Sequence, residues 1–326
     1  MATDWPKVGN VLNPVVIFVY NRPAHTLRLL KSLLGCHEFS SSKVYVFSDG
    51  PKHEADRKKV ENVRRIISEL MCGIDCQLTY RENNLGLAMS VISGITEVLK
   101  DHMSVIVLED DLVVSSDFLK YMNWGLQIFR DNPQIFSLTG FSFPEKYFSL
   151  PANYSNGVFL SPRCGSWSWG TWRDRWAEVD WEMSDFQEFC EDDDRQAEFN
   201  RIGWDLSRML KFQSSGAIDS WAIRFCYAHF KASAYCVHPI STLVHNFGFD
   251  SSGTHSWSDR RFLHTDQFRP WRYRKSDQFA VPNDEVNLEV SRIYAGKTGP
   301  MSSRLRGNIT RSAIGRLLQR IVLYWK

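Results

Sequence analysis

The feature that most constrains the fold is an alternation of short apolar runs with longer helical segments over the first 140 residues. The apolar runs are rich in β-branched residues and cover 15–20, 44–47, 76–80 and 104–108. Between them, residues 54–71 and 87–99 place apolar side chains at helical spacing. This order is typical of a parallel sheet with crossover helices. The sequence therefore predicts an α/β fold with a Rossmann-like, mixed and mostly parallel sheet flanked by helices.

Composition supports a globular chain with a large core. The chain has 326 residues, of which 43% are hydrophobic, and this length suits one elaborate domain or two closely joined ones. It contains no apolar run of membrane-spanning length and no signal-peptide pattern at the N-terminus, so we expect a cytoplasmic location. The seven cysteines are scattered without a CxxC pair, which favours reduced thiols over a zinc site or a disulfide framework.

The charge distribution sets the C-terminal segment apart. Residues 290–326 hold eight Lys or Arg and no acid, which leaves 31 basic against 37 acidic residues in the rest. The last residues also place apolar side chains on one helical face. We expect residues 286–326 to form a basic amphipathic tail that contacts an anionic membrane surface peripherally, or else a helix docked on the rest of the chain.

Three consecutive carboxylates follow the fourth predicted strand. Glu109, Asp110 and Asp111 come directly after the apolar run 104–108 and should lie at the carboxyl edge of the sheet, where open α/β folds bind ligands. Such close like charges need a compensating cation, and oxygen ligands of this type suit Mn²⁺ or Mg²⁺ with phosphate oxygens completing the coordination. The alternative is that these acids cap the helix that begins near residue 115.

Other polar residues follow the other predicted strands. Asp49, after the second strand, is placed to accept a hydrogen bond from a nucleobase imide, although Ser-Asp-Gly-Pro is also a strong turn sequence. Arg22, after the first strand, could meet a diphosphate or be a solvated helix-start residue. Asn84 belongs to a polar turn that presents amide donors before a helix, or to an ordinary turn.

With these residues in view, the chain resembles GT-A-fold glycosyltransferases. Its opening strand is similar to that of the family-2 enzymes, and the greatest likeness is to the N-acetylglucosaminyltransferase I group. Residues 15–22 resemble that group's first strand and nucleotide-contacting arginine, residues 47–49 its uracil-binding strand, and residues 107–112 its metal motif. The resemblance implies that Asp111 binds the metal, Asp110 contacts the ribose region and Glu109 contacts the donor sugar.

The resemblance extends into the second half of the chain. Residues 165–170, with Trp167 and Trp169, are similar to the group's sugar-pocket segment. Residues 219–224 resemble the segment that carries the catalytic base, which implies that Asp219 is the base, although Ser220 stands where the group has a second aspartate. Residues 240–255 resemble the late loop that folds over the diphosphate, which implies donor contact by Thr254, and a metal ligand could come from His255.

The expected activity is transfer of a sugar from a UDP-sugar, such as UDP-GlcNAc, to a saccharide or lipid-linked saccharide acceptor. Residues 1–140 would bind the nucleotide sugar, residues 141–285 would bind the acceptor, supply the base and close over the site, and the tail would follow. The reaction would be metal-dependent and inverting, carried out by a hexosyl- or N-acetylhexosaminyltransferase. The lack of a membrane anchor indicates a bacterial-type enzyme, as in polysaccharide biosynthesis, with no nucleic-acid partner.

Two other classes of protein remain open from the residues alone. A nucleotidyltransferase also places metal-binding acids beside a nucleotide, but it usually has a Gly-rich phosphate loop after the first strand, and residues 20–25 contain no glycine. A noncatalytic carbohydrate-binding protein would account for the five tryptophans between positions 167 and 181, but it leaves Asp49 and the three carboxylates unexplained.

Overall fold

The chain forms an α/β structure in a computed structural model that describes residues 12–249 and 267–295. The strands in these ranges are β1 (Val15–Val19), β2 (Val44–Ser48), β3 (Cys76–Tyr80), β4 (Ser104–Glu109), β5 (Leu112–Val114), β6 (Ile135–Thr139), β7 (Val158–Ser161), β8 (Trp169–Trp172), β9 (Tyr235–Pro239) and β10 (Val244–Asn246). The helices are α1 (Pro23–Leu34), α2 (Arg57–Leu70), α3 (Leu87–Val98), α4 (Phe118–Ile128), α5 (Arg173–Ala177), α6 (Phe186–Glu191), α7 (Asp193–Phe199), α8 (Leu206–Ser214), α9 (Trp221–Lys231) and α10 (Asp284–Tyr294). The four apolar runs and both helical segments of the first 140 residues thus form the elements that their periodicity predicts.

Eight strands form one mixed sheet in the order β3-β2-β1-β4-β8-β6-β9-β7. Strands β1 to β4 are mutually parallel where they pair, as are β6 and β9. Strand β8 runs antiparallel to both β4 and β6, and β7 runs antiparallel to β9. Strands β5 and β10 form a separate antiparallel ribbon. The mixed, mostly parallel sheet with flanking helices is the predicted fold class.

Helices cover both faces of the parallel strands. Along β1, Ile17 belongs to the core cluster that includes Leu30 of α1 and Ile67 of α2. The next residue, Phe18, belongs to the opposite cluster with Ile95 of α3. Because side chains alternate along a strand, a run that is apolar at every position must be buried on both faces. This two-sided burial explains why β1, β2 and β4 carry no alternating polar pattern, whereas the edge strand β3 is partly exposed and does alternate.

The segment beyond residue 140 completes the same sheet. Strand β8 pairs with β4 from Ser104↔Trp172 to Val107↔Trp169, so one sheet joins the two halves of the chain. Trp169 was expected to contribute to a sugar pocket, but Trp169 and Trp172 are 1% and 2% exposed within this central strand. No helix in the described ranges has both the length and the apolar character needed to cross a bilayer.

Candidate active site

The predicted site residues of the first half meet at the carboxyl edge of the sheet. Strands β1, β2, β3 and β4 are parallel neighbours, so the residues that follow them project from one edge. Arg22 follows β1, Asp49 follows β2, Asn84 follows β3, and Asp110 and Asp111 follow β4. The topology therefore brings together side chains that are up to 89 positions apart in the sequence.

Arg22 lies between two of the three carboxylates. It precedes Pro23 at the start of α1, and its guanidinium forms an ion pair with Asp110 and lies 3.4 Å from Asp111 Oδ2. Burial alone would lower the pKa of Arg22, but the two carboxylates raise it above its usual value. The arginine side chain is 18% exposed and Asp110 is 4% exposed, so this pair is largely shielded from solvent. Arg22 supplies part of the positive charge that the acidic cluster requires.

Glu109 and Asp110 are held by contacts from distant parts of the chain. The Tyr20 backbone amide donates to Asp110 Oδ2 at 3.4 Å, and the Trp221 side chain hydrogen-bonds to Glu109. Burial raises the pKa of both carboxyls, and the charge of neighbouring Asp111 raises it further, whereas Arg22 lowers it. A second positive charge at this edge would offset the repulsion that remains. Trp221 also ties the start of α9 to the acidic cluster.

Asp49 is the anchor of the loop that follows β3. The Leu85 backbone amide lies 3.0 Å from each carboxylate oxygen of Asp49, and the Gly50 amide donates to Oδ1 at 3.1 Å. Asn84 Nδ2 in turn donates to the Gly50 carbonyl at 2.9 Å. Burial raises the pKa of Asp49, and the hydrogen bonds from these backbone amides lower it. Asp49 thus stabilises the turn through its hydrogen bonds from backbone amides, and Asn84 joins the two loops at the sheet edge.

Asp219 reaches the same loop from the second half of the chain. Its Oδ2 accepts a hydrogen bond from the Ala88 backbone amide at 3.1 Å, in the first turn of α3. A Cβ on Gly86 would lie 2.8 Å from the same oxygen, so residue 86 must be small. Ser220 caps α9 by accepting from the Ile223 amide at 3.3 Å. Asp219 is exposed, and Trp221 two residues later contacts Glu109, so the Asp219 segment adjoins the acidic cluster.

The β5–β10 ribbon brings another oxygen to Asp111. Phe247 donates its backbone amide to the Asp111 carbonyl at 2.8 Å, directly after β10. A Cβ on Gly248 would lie 2.3 Å from Asp111 Oδ2 and 3.0 Å from Asn246 Oδ1. The Gly248 amide itself donates to Asn246 Oδ1 at 2.6 Å, so this oxygen is held next to the backbone of residue 248, which Asp111 Oδ2 also closely approaches. Asn246 escaped the sequence-based set because its position depends on the pairing of β10 with β5.

This donor set fits a divalent cation that keeps most of its coordination sphere for other ligands. No three His, Cys, Asp or Glu side chains within residues 12–249 and 267–295 converge as a metal cage. Mg²⁺ and similar hard cations are usually held by one or two protein carboxylates, with phosphate oxygens and water filling the remaining positions. Asp111 and Asn246 provide oxygen ligands of the required type, and Asp111 is 18% exposed.

The two tryptophans predicted for a sugar pocket differ in their surroundings. Trp169 packs against Trp221, with ring centroids 4.5 Å apart, and against Trp176 at 5.8 Å. It lies in the core and not on a pocket wall, because β8 is a central strand with helices over it. Trp167 is half-buried and contacts Phe141 edge-to-face at 4.6 Å. Only Trp167 of this pair retains exposed ring surface.

Two predicted site residues, Thr254 and His255, lie outside the described residues, as does the tail from residue 296 onward. Sequence reasoning missed two contributors to the edge, Trp221 and Asn246. Trp221 belongs to the segment that was singled out for Asp219, but nothing in its local pattern marks it as a partner of Glu109. Asn246 precedes a glycine by two positions, which is an ordinary turn signal.

Comparison with known proteins gives weak structural likenesses. No protein-family model matches the sequence, and no curated protein matches it. The solved structure of S. aureus TarS 1–349 in complex with UDP-GlcNAc aligns over 43% of this chain and 39% of its own, at 15% identity and a TM-score of 0.31. The structure of GalNAc-T7 with UDP, GalNAc and Mn²⁺ aligns over 71% of this chain and 43% of its own, at 12% identity and a TM-score of 0.46. The chain thus spans less than half the length of these chains, and function has to be argued from its own residues.

Proposed function

We propose that the chain is a metal-dependent glycosyltransferase that takes a UDP-sugar as donor and inverts the anomeric centre. The observation that carries this proposal is the convergence of Arg22, Asp111 and Asp219 with the loop after β3 at one sheet edge. This edge combines a cation, an oxygen donor set for a metal and an exposed carboxylate. A transferase of this kind needs all three, for the diphosphate, its counter-ion and the acceptor hydroxyl.

The donor nucleotide is proposed to bind across the ends of β1 to β4. Arg22 is largely shielded from solvent, so a hydrogen bond from its guanidinium to a diphosphate oxygen would be strengthened by the low local polarity. The loop that Asp49 and Asn84 hold in place would form the wall beside the nucleobase, and Asp49 itself would accept from the base imide. Asp110 and Glu109 are proposed to contact the ribose region and the donor sugar.

Asp111, together with Asn246, is proposed to hold the metal. When bound, a Mn²⁺ or Mg²⁺ ion would neutralise charge on the departing diphosphate. The surrounding residues prepare this position: Gly248 leaves room for the ligand oxygens, and the Phe247 amide fixes the backbone of residue 111. His255 and Thr254 belong to the proposal as residues of the loop that closes over the diphosphate.

Asp219 is proposed to act as the general base. Its carboxylate would take the proton from an acceptor hydroxyl while the hydroxyl oxygen bonds to the anomeric carbon and the bond from that carbon to the diphosphate breaks. The Ala88 amide occupies one oxygen, Oδ2, and orients the group, while the residue remains exposed to an incoming acceptor. A positioned base of this kind contributes typically about 10²–10⁴-fold.

The acceptor is proposed to be a saccharide, free or lipid-linked, as in bacterial polysaccharide biosynthesis. Trp167, with exposed ring surface, is suited to stack on a sugar face. UDP-GlcNAc is the first donor to test, within a panel of hexose and N-acetylhexosamine nucleotides. The basic tail would bring the enzyme to an anionic bilayer surface on the cytoplasmic side.

The experiment is Mn²⁺-dependent hydrolysis of each donor without acceptor, measured as UDP release. The unaltered chain should release UDP from at least one donor, and chelation should abolish the reaction. Asp111→Asn should lower the rate by about 10²-fold or more, because it removes charge at the metal. Asp131→Asn is the matched control, since Asp131 is exposed in the turn before β6.

Three results would contradict the proposal. One is full activity of Asp111→Asn with every donor that the unaltered chain hydrolyses. Another is pyrophosphate release from UTP and a sugar phosphate, which would indicate a nucleotidyltransferase. The third is saccharide binding with no UDP release from any donor, which would indicate a noncatalytic carbohydrate-binding protein.

A further inference from the structure

A cavity of about 250 Å³ lies between residues 269–274 and the turn that joins β9 to β10. Ile240, Leu243 and Trp271 are among the apolar residues that line it, and Arg269, Arg272 and Arg274 line it as well. None of these side chains belongs to the candidate active site. The Trp271 amide donates to Asp117 Oδ2 at 3.0 Å, so this wall is attached to the start of α4.

The three arginines differ in how their charge is balanced. Arg269 forms an exposed ion pair with Glu145, with a closest approach of 2.6 Å. Arg274 donates to the Ser155 carbonyl at 2.6 Å, and its charge also acts on nearby Asp277, whose pKa it lowers against the effect of burial. Arg272 is exposed and makes no hydrogen bond or ion pair with any residue that the structure describes.

Asp277, a buried acid close to this segment, hydrogen-bonds to backbone amides. Asp277 is fully buried, and its carboxylate accepts from the Gly157 amide at 2.6 Å and from the Arg274 amide at 3.1 Å. Burial raises the pKa of Asp277, and the hydrogen bonds from these two backbone amides lower it. The Asp277 carboxylate therefore joins the residue before β7 to the 274–277 segment. At least one guanidinium, that of Arg272, remains for another anion.

We propose that this cavity binds the phosphate group of a phosphate ester. Guanidinium groups match phosphate oxygens in geometry and charge, and Arg272 carries one that has no ion pair among the described residues. The Ser241 side chain at the cavity wall is a further donor. The apolar surface of Ile240, Leu243 and Trp271 suits the carbon skeleton that carries the phosphate.

Two kinds of molecule carry such a phosphate group: a soluble sugar phosphate and a lipid headgroup. Both present a monoanionic or dianionic phosphate next to carbon atoms, and the arginines would recognise this shared part. The lining residues do not include Arg22, Asp111 or Asn246, so phosphate binding here can be measured whether or not the chain transfers sugar. Ile240, Ser241 and Leu243 belong to the 240–255 segment that resembles the loop over the diphosphate, so the two sites are distinguished by the Arg272 variants.

The first measurement is calorimetric titration of the full chain with inorganic phosphate at low ionic strength. Arg272→Gln should weaken binding roughly 10-fold to 100-fold, as expected for loss of hydrogen bonds to a charged group, and Arg272→Glu should weaken it further. Arg65→Gln and Arg65→Glu are matched controls, because Arg65 is exposed on α2 and pairs with Glu69. Arg272 is exposed and makes no hydrogen bond or ion pair with the described residues, so its variants should fold, which circular dichroism checks.

The proposal is overturned if the unaltered chain binds no phosphate, if both Arg272 variants bind it as well as the unaltered chain, or if the Arg65 variants lose as much affinity. Phosphate held only at Arg22 would give the second of these results.

Competition by a hexose 1-phosphate, lost in Arg272→Glu, would support a soluble ligand. Binding to phosphatidic acid vesicles but not to phosphatidylcholine vesicles, again lost in Arg272→Glu, would support a lipid headgroup. UDP release from a donor should be unaffected in these variants, so failure of this site and failure of the transferase proposal can be told apart.

Discussion

The substitution Gly248→Ala should separate the chemistry of the acidic edge from the stability of the fold. The added Cβ would lie 2.3 Å from Asp111 Oδ2, whereas real Cβ contacts essentially never fall below 3.0 Å. The carboxylate must therefore move by at least 0.7 Å, or Asn246 and the chain around it must yield. A displacement of about 1 Å at a reacting group can cost on the order of 10²-fold in rate.

Two readouts test this reasoning. Mn²⁺ affinity, measured by electron paramagnetic resonance, and UDP release from a donor should both fall, the latter by about 10²-fold. The unfolding free energy should change by no more than about 1 kcal/mol, because the strain falls on a side chain at the sheet edge. Gly35→Ala is the matched control, since residue 35 has φ −80° and its nearest neighbour would be 3.2 Å from the new Cβ.

A double-mutant cycle identifies the route of the effect. If Gly248→Ala acts through Asp111, adding it to Asp111→Asn should cause little further loss. Additive losses would mean that residue 248 acts elsewhere. Unaltered Mn²⁺ affinity and turnover in Gly248→Ala would refute the placement of the metal beside this glycine.

Four further substitutions test stability and sugar binding. Arg22→Gln should lower the unfolding free energy in urea by about 3–5 kcal/mol, because Asp110 stays buried without its partner, and a loss below about 1 kcal/mol would contradict this. Trp169→Ala should cost about 3–5 kcal/mol by leaving a core cavity. Trp167→Ala should cost little stability but weaken saccharide binding, and the reverse ranking would show that the two roles are misassigned. Burial lowers the pKa of His229 from the usual 6.5 to about 4. Between these two pH values the unfolded chain binds a proton that the folded chain does not. The free energy of unfolding is therefore unaffected by His229 above about pH 6.5 and decreases by up to roughly 3 kcal/mol as the pH falls towards 4. In denaturant titrations, His229→Gln should reduce this dependence of the unfolding free energy on pH, and an unchanged dependence would contradict the prediction.

The first half of the fold could be predicted because its information is local. An apolar run with β-branched residues reports a strand buried on both faces, and apolar spacing reports a helix, whichever other element each contacts. The acids after β4 and Asp49 after β2 could be placed at one edge for the same reason, since parallel strands share an edge. The roles of Asp219, Thr254 and His255 rested on resemblance and stay predictions.

The second half could not be predicted in the same way. Trp169 sits in a segment rich in Gly, Ser and Trp, which has the composition of a binding cleft, yet β8 enters the sheet between β4 and β6. A four-residue strand has too few positions to show a period, and its antiparallel pairing with β4 spans more than 60 residues of sequence. Burial followed from that pairing and not from local pattern.

The sequence by itself determined that this chain forms an α/β sheet and that carboxylates gather at the carboxyl edge of its parallel strands. Only the tertiary structure decided that Arg22 neutralises Asp110, that Asn246 and Gly248 lie beside Asp111, and that Trp221 contacts Glu109. The physical reason is that periodicity reports which face of an element is buried, whereas a contact between distant residues depends on how whole elements pack.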